Sequence, residues 1–77
     1  MSLLLPQTRP GTVRGATPVD IHGDRYVDLS VELDGDAGPP VRGRVGAIDC
    51  AQGLAPGERV KVRFTMGVMM RVEREGA

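Results

Sequence analysis

Leu54-Ala55-Pro56-Gly57-Glu58-Arg59-Val60-Lys61-Val62-Arg63-Phe64-Thr65-Met66-Gly67-Val68-Met69-Met70-Arg71-Val72-Glu73-Arg74-Glu75 reads as one β-hairpin. Val60, Val62 and Phe64 alternate with Arg59, Lys61, Arg63 and Thr65. After a break at Met66-Gly67, Val68, Met70 and Val72 alternate with Met69, Arg71 and Glu73. A period of two puts successive side chains on opposite faces, so each strand has one apolar and one charged face. A sheet with one wet side must close on itself or be covered, which points to a small all-β barrel.

Working outward, Arg25 to Asp34 gives the clearest further strand, with Val27, Leu29, Val31 and Leu33 on one face and Tyr26, Asp28, Ser30, Glu32 and Asp34 on the other. Gly35-Asp36-Ala37-Gly38-Pro39-Pro40 is a loop of strong turn formers. Val41 to Ile48 follows as a third strand, and its Gly43 and Gly46 suggest sharp coiling or a bulge. Asp49 to Gly53 reads as a connector with room for one helical turn, and Pro56-Gly57 as the turn into the hairpin. Upstream, Gly11 to Ala16 is a first strand that Pro18 interrupts, because proline lacks a ladder donor. Val19-Asp20-Ile21 resumes it before a turn at His22-Gly23-Asp24. Residues 1–10 read as a loose N-terminal arm and residues 11–77 as one domain. The expected architecture is therefore a five-stranded antiparallel barrel, closed or nearly so. Its interior would hold Val13, Val27, Leu29, Val31, Leu33, Val45, Val60, Val62, Phe64, Val68, Met70 and Val72.

Five strands with a longer connection between the third and fourth is the pattern of an OB-like barrel. Gly11-Thr12-Val13, the strand Tyr26 to Leu33, Gly57-Glu58-Arg59-Val60-Lys61-Val62 and the closing Val68 to Val72 resemble small bacterial OB-like domains. The nearest likeness is to short OB-like segments of high-GC bacteria, which run from Gly-x-Val through Gly-Pro-Pro to Pro-Gly-x-x-Val-x-Val. A more distant one is to the smallest bacterial translation initiation factors, single OB barrels that bind the ribosome. The resemblance spans roughly residues 10–75 and rests on strand spacing and turns, so it implies a fold more than an activity.

The chain has 77 residues, and a domain of that size buries only about 60% of the surface its unfolded form exposes. Tyr26 and Phe64 are its only aromatic residues, so the core is thin. Cores of this size usually need a staple, a metal or a partner subunit. A single cysteine, Cys50, leaves no internal disulfide and fits a reducing compartment. Leu3-Leu4-Leu5 ends at Pro6 with no basic residue before it, too short for a signal peptide, and no stretch approaches a membrane span. A cytoplasmic location is the expectation.

The net charge of zero conceals an asymmetry. Asp20, Asp24, Asp28, Glu32, Asp34 and Asp36 face Arg25 alone, whereas Arg42, Arg44, Arg59, Lys61, Arg63, Arg71 and Arg74 outnumber Asp49, Glu58 and Glu73. Arg42, Arg44, Arg59, Lys61, Arg63 and Arg71 form a candidate nucleic-acid face on neighbouring strands. Two observations weigh against it. Proteins that grip phosphate by charge are usually basic overall, and stacking platforms for bases are scarce here. Acids of the second strand are also placed to neutralise the arginines, and interleaving there would cancel the field.

Met66, Met69 and Met70, with Cys50 and His22, carry Cu(I)-type ligand atoms, as in small OB-fold copper chaperones. Met69 and Met70, however, point to opposite faces of one strand, and that family's tryptophan is missing. His22 and Cys50 lack the third group that nucleophilic catalysis needs. Asp34-Gly35-Asp36 lacks the later ligands of a calcium loop. No catalytic, cofactor or metal residue is therefore assigned. The expected function is a non-enzymatic interaction module, bound to itself as a homodimer or small ring or to another protein. Leu3, Leu4 and Leu5 are its candidate interaction arm, and nucleic-acid binding is the alternative.

Overall fold

The computed structural model describes residues 5–76. Five strands form one antiparallel sheet: β1 (Gln7–Ile21), β2 (Asp24–Leu33), β3 (Val41–Gly46), β4 (Arg59–Thr65) and β5 (Val68–Arg74), in the order β3-β2-β1-β4-β5. The only helical segment among the described residues is a 3-10 turn, Ala47–Asp49. No helix is long and apolar enough to cross a membrane.

β1 is longer than its two prolines suggest, and four residues of the expected arm, Gln7 to Pro10, belong to it. Its first half pairs with β4, from Gln7 opposite Phe64 to Thr12 opposite Arg59, and its second half pairs with β2 alone. The Pro10 carbonyl accepts the Asp34 N–H at 3.0 Å, so its ring nitrogen faces the same side and cannot return the bond. The Arg9 guanidinium donates to the Asp34 carbonyl instead, at 3.2 Å. Pro18 lies within Gly15–Ile21, which among the described residues has β2 on one side and no strand on the other, the setting a strand proline tolerates. Thus Pro18 does not interrupt the strand. Between Val13 and Gly15 the β1–β2 register slips by one, and Arg14 bulges out of the ladder.

The β1–β2 and β4–β5 hairpins turn on two residues each, His22-Gly23 and Met66-Gly67, all at positive φ (51° and 85°; 51° and 76°). Two consecutive left-handed residues make the turn whose twist matches the flanking strands.

The buried cluster contains Val13, Leu29, Val31, Leu33, Val45, Val60, Val62, Phe64 and Val72, as the alternation predicts, joined by Cys50 and Met69. Val27 packs against the cluster but is half-buried. Val68 and Met70 are corrections to the expected interior: they are 57% and 48% exposed, while Met69 is 4% exposed. The cause is a second bulge. Arg63 pairs with Arg71 but Phe64 with Met69, which leaves Met70 outside the ladder and flips the phase of the strand before it.

Among the described residues no hydrogen-bonded ladder joins β3 to β5, so the sheet is not closed. The two end strands nonetheless lie against each other. A Cβ placed on Gly43 would sit 2.8 Å from the Met69 Cβ and 3.1 Å from its sulfur, so only glycine allows this approach. Below it, Cys50 forms an isolated parallel bridge to Val72, and the Ala51 N–H donates to the Val72 carbonyl at 2.9 Å.

Candidate interaction surfaces

The outer face is laced by ion pairs between strands. Arg44, opposite Asp28 in the β2–β3 register, binds its carboxylate through two nitrogens at 2.7 and 3.0 Å. Arg59 makes a similar fork to Asp34, with Nη1 2.7 Å from Oδ1, and reaches Glu75 at 3.2 Å and the Thr12 hydroxyl at 3.1 Å. The bulged Arg14 takes Glu32 at 2.9 Å, Arg9 takes Asp36 at 3.1 Å, and Arg74 takes Glu58 at 3.0 Å. Arg71 has only Asp49, at 4.0 Å. Among the described residues Arg42, Lys61 and Arg63 have no ion pair.

Along the hydrogen-bonded sheet the six basic residues fall into two groups, Arg42 and Arg44 on β3 and Arg59, Lys61, Arg63 and Arg71 on β4 and β5, which adjoin across the unladdered β3–β5 seam. Arg44 and Arg59 are neutralised by acids of β2 and its following loop, the interleaving that cancels a phosphate-attracting field.

These pairs should make the fold sensitive to acid. The hydrogen bond from Arg44 holds the Asp28 carboxyl below its ordinary range, Arg59 does the same for Asp34, and Arg74, helped by the Ala55 N–H, for Glu58. A carboxyl depressed in the folded state contributes stability above its unfolded pKa and loses it as pH falls through the folded value. The urea midpoint should be level from pH 7 to about 5 and decline below about pH 4, where the unfolded chain begins to take up protons first. A midpoint unchanged at pH 3 would show these pairs to be energetically idle.

Cys50 is buried, and burial pushes its thiol above the ordinary value, which keeps it protonated at neutral pH and a poor nucleophile. His22 sits in the exposed β1–β2 turn. Among the described residues no three His, Cys, Asp or Glu side chains come together as metal ligands. The methionines do not converge either: Met69 is in the core, Met66 and Met70 on the surface.

Among the described residues the exposed large apolar side chains are Leu5, Ile48, Met66, Val68 and Met70. Four of them share one end of the sheet. Gln7 pairs with Phe64 and Thr65 with Val68, so the chain enters β1 beside the β4–β5 turn, where Met66, Val68 and Met70 stand outward. Leu5 lies on the approach to that end; Leu3 and Leu4 lie outside the described residues. The alternation hid this patch, because it assigned Val68 and Met70 to the interior.

At the opposite end the β1–β2 ribbon and the Cys50–Leu54 connector enclose an open cleft of about 540 Å³. Ala16, Pro18, Val27 and Leu54 form its apolar part, and Asp20 and Arg25 face each other in register without forming an ion pair. Its volume is within the range of small-ligand sites, but nothing in its lining selects a ligand. Comparison with protein-family models, curated proteins and solved structures found no match for this chain.

Proposed function

We propose that the chain is a non-enzymatic OB-like barrel that serves as a self-associating protein-interaction module. The barrel reading is supported by the strand order, by the approach of β3 to β5 at Gly43 and by the Cys50–Val72 bridge, which together bring the two ends of the sheet to one seam. The observation that carries the functional reading is the cluster of Leu5, Met66, Val68 and Met70 at one end of the sheet, while the other large apolar side chains among the described residues, Ile48 apart, are buried or half-buried. Full burial of such a side chain is worth about 1.5–3 kcal/mol. Covering the exposed 48–72% of each recovers part of that, of the order of the lower end of an association cost of about 4–15 kcal/mol, which suits weak, reversible assembly. The proposed occupant is a second copy of the chain, with Leu3, Leu4 and Leu5 as the candidate arm.

Sedimentation velocity over a concentration series tests this. The wild-type chain should shift from monomer to dimer or small ring. Met66→Asn with Met70→Thr should remain monomeric while folded, since Asn suits the positive φ at position 66 better than Met. Leu3→Ser, Leu4→Ser and Leu5→Ser combined should weaken assembly without touching the ladder. A wild-type chain monomeric throughout would overturn the proposal. The nucleic-acid reading loses Arg44 and Arg59 to their carboxylates, which leaves salt-sensitive, sequence-independent contact weaker than about 10⁻⁶ M as its expected extent.

A further inference from the structure

Arg63 and Arg71 stand directly opposite each other in the β4–β5 register, both exposed and both on the outer face, since their neighbours Val62, Phe64 and Val72 are buried. Directly opposed residues hold their Cβ atoms about 4.5–5.5 Å apart, and like charges in that position repel. Elsewhere on this surface acids sit beside arginines: Asp28 binds Arg44, Asp34 and Glu75 bind Arg59, Glu32 binds Arg14. Here, as at Arg42, that pattern stops. Arg63 has no ion pair among the described residues, and Arg71 has Asp49 only at 4.0 Å. The same cross-strand row continues onto β1 at Thr8, opposite Arg63 and also exposed.

We infer that Thr8, Arg63 and Arg71 form a binding site for a phosphate group carrying two negative charges, as inorganic phosphate or a phosphate monoester. Two guanidinium groups offer planar, forked donors matched to phosphate oxygens, and the threonine hydroxyl adds a third direction of approach. The anion would offset a repulsion built into the free surface. In the ladder the adjacent row places Glu73 opposite Lys61, and Pro10 on its other side, so an acid stands one step from the Arg63–Arg71 pair on that side. The geometry thus favours one compact phosphate over a chain of diesters.

The site is independent of self-association, and its test can be run on the monomeric Met66→Asn/Met70→Thr chain as well as on the wild type. Titrations with sodium phosphate and with a nucleoside monophosphate are compared with sodium chloride at matched ionic strength, following the Arg Nε–H resonances and the melting temperature. Saturable shifts at Arg63 and Arg71 and a rise in melting temperature beyond that in chloride are expected. Arg63→Gln or Arg71→Gln should weaken phosphate binding at least about tenfold, the effect of one lost charge-assisted hydrogen bond. Arg25→Gln, which removes an exposed arginine beside the β1–β2 turn with no ion pair among the described residues, should leave it unchanged. In chloride alone, Arg63→Gln should melt no lower than wild type, because it relieves the repulsion. Equal shifts in phosphate and chloride, equal loss in Arg25→Gln, or a lower melting temperature for Arg63→Gln in chloride would each overturn the inference. So would binding of an oligonucleotide without terminal phosphate but not of phosphate itself, which would indicate a backbone track instead.

Discussion

Val62→Asp should leave no folded population by far-ultraviolet circular dichroism. Val62 is fully buried on β4, with Arg9 of β1 and Val72 of β5 as its ladder neighbours. The described interior has no buried polar or charged residue, so no donor waits there for a carboxylate. An unpaired charge in such a place costs several kcal/mol even after relaxation. A core of this size rarely supplies more than about 3–5 kcal/mol. The cost matches or exceeds the whole stability, whereas Val62→Thr, close in volume and uncharged, should remain folded with a lower melting temperature. A Val62→Asp chain that melts cooperatively near the wild-type temperature would refute the placement of this strand.

Gly43→Val should be nearly as damaging, for a different reason. The valine Cβ would fall 2.8 Å from the Met69 Cβ, an atom fixed to the backbone, so rotating the methionine cannot make room. Either β3 or β5 must retreat. Overpacking typically costs about 1–3 kcal/mol, occasionally more, and the β-branched side chain puts this site at the upper end. Because the seam beside Gly43 is not laddered, the damage should be local first. Hydrogen exchange at the Ala51 N–H, bonded to the Val72 carbonyl, should accelerate before the β1–β4 ladder is affected. Urea unfolding gives the total loss. Unchanged exchange at Ala51 would show that the contact is slack.

These expectations rest on parts of the fold that differed in how plainly the residues announced them. β2 and β4 were legible because an unbroken period of two admits one inward set, and Leu29, Val31, Leu33, Val60, Val62 and Phe64 are that set. β5 was half legible. Val68-Met69-Met70 is apolar at three successive positions, so both phases look acceptable, and only the bulge opposite Arg63 and Phe64 selects Met69. β1 was hidden by its prolines. Each proline breaks a ladder in general, yet Pro10 faces a carbonyl that Arg9 satisfies and Pro18 lies where only one partner strand runs. The ion pairs were legible as a balance of charge but not as partners. Arg59 of β4 meets Asp34, just past the end of β2, by reaching across β1 at Thr12, whose hydroxyl it also contacts. Of the candidate surfaces, the exposed apolar end could not be read without the bulge that turns Val68 and Met70 outward.

Pro18 has a consequence for how the chain behaves in a crowd of its own copies. The side of β1 from Gly15 to Ile21 that lacks a partner strand is the kind of open margin at which extended chains stack into insoluble fibrils. At its middle stands a residue with no N–H to offer, flanked by Thr17 and, two positions on, the charged Asp20. An incoming strand would lose a hydrogen bond at the centre of its docking length and meet an unpaired carboxylate near the end. The proline that made β1 hard to recognise thus stands where a gatekeeper residue would, at the middle of the edge that only β2 pairs.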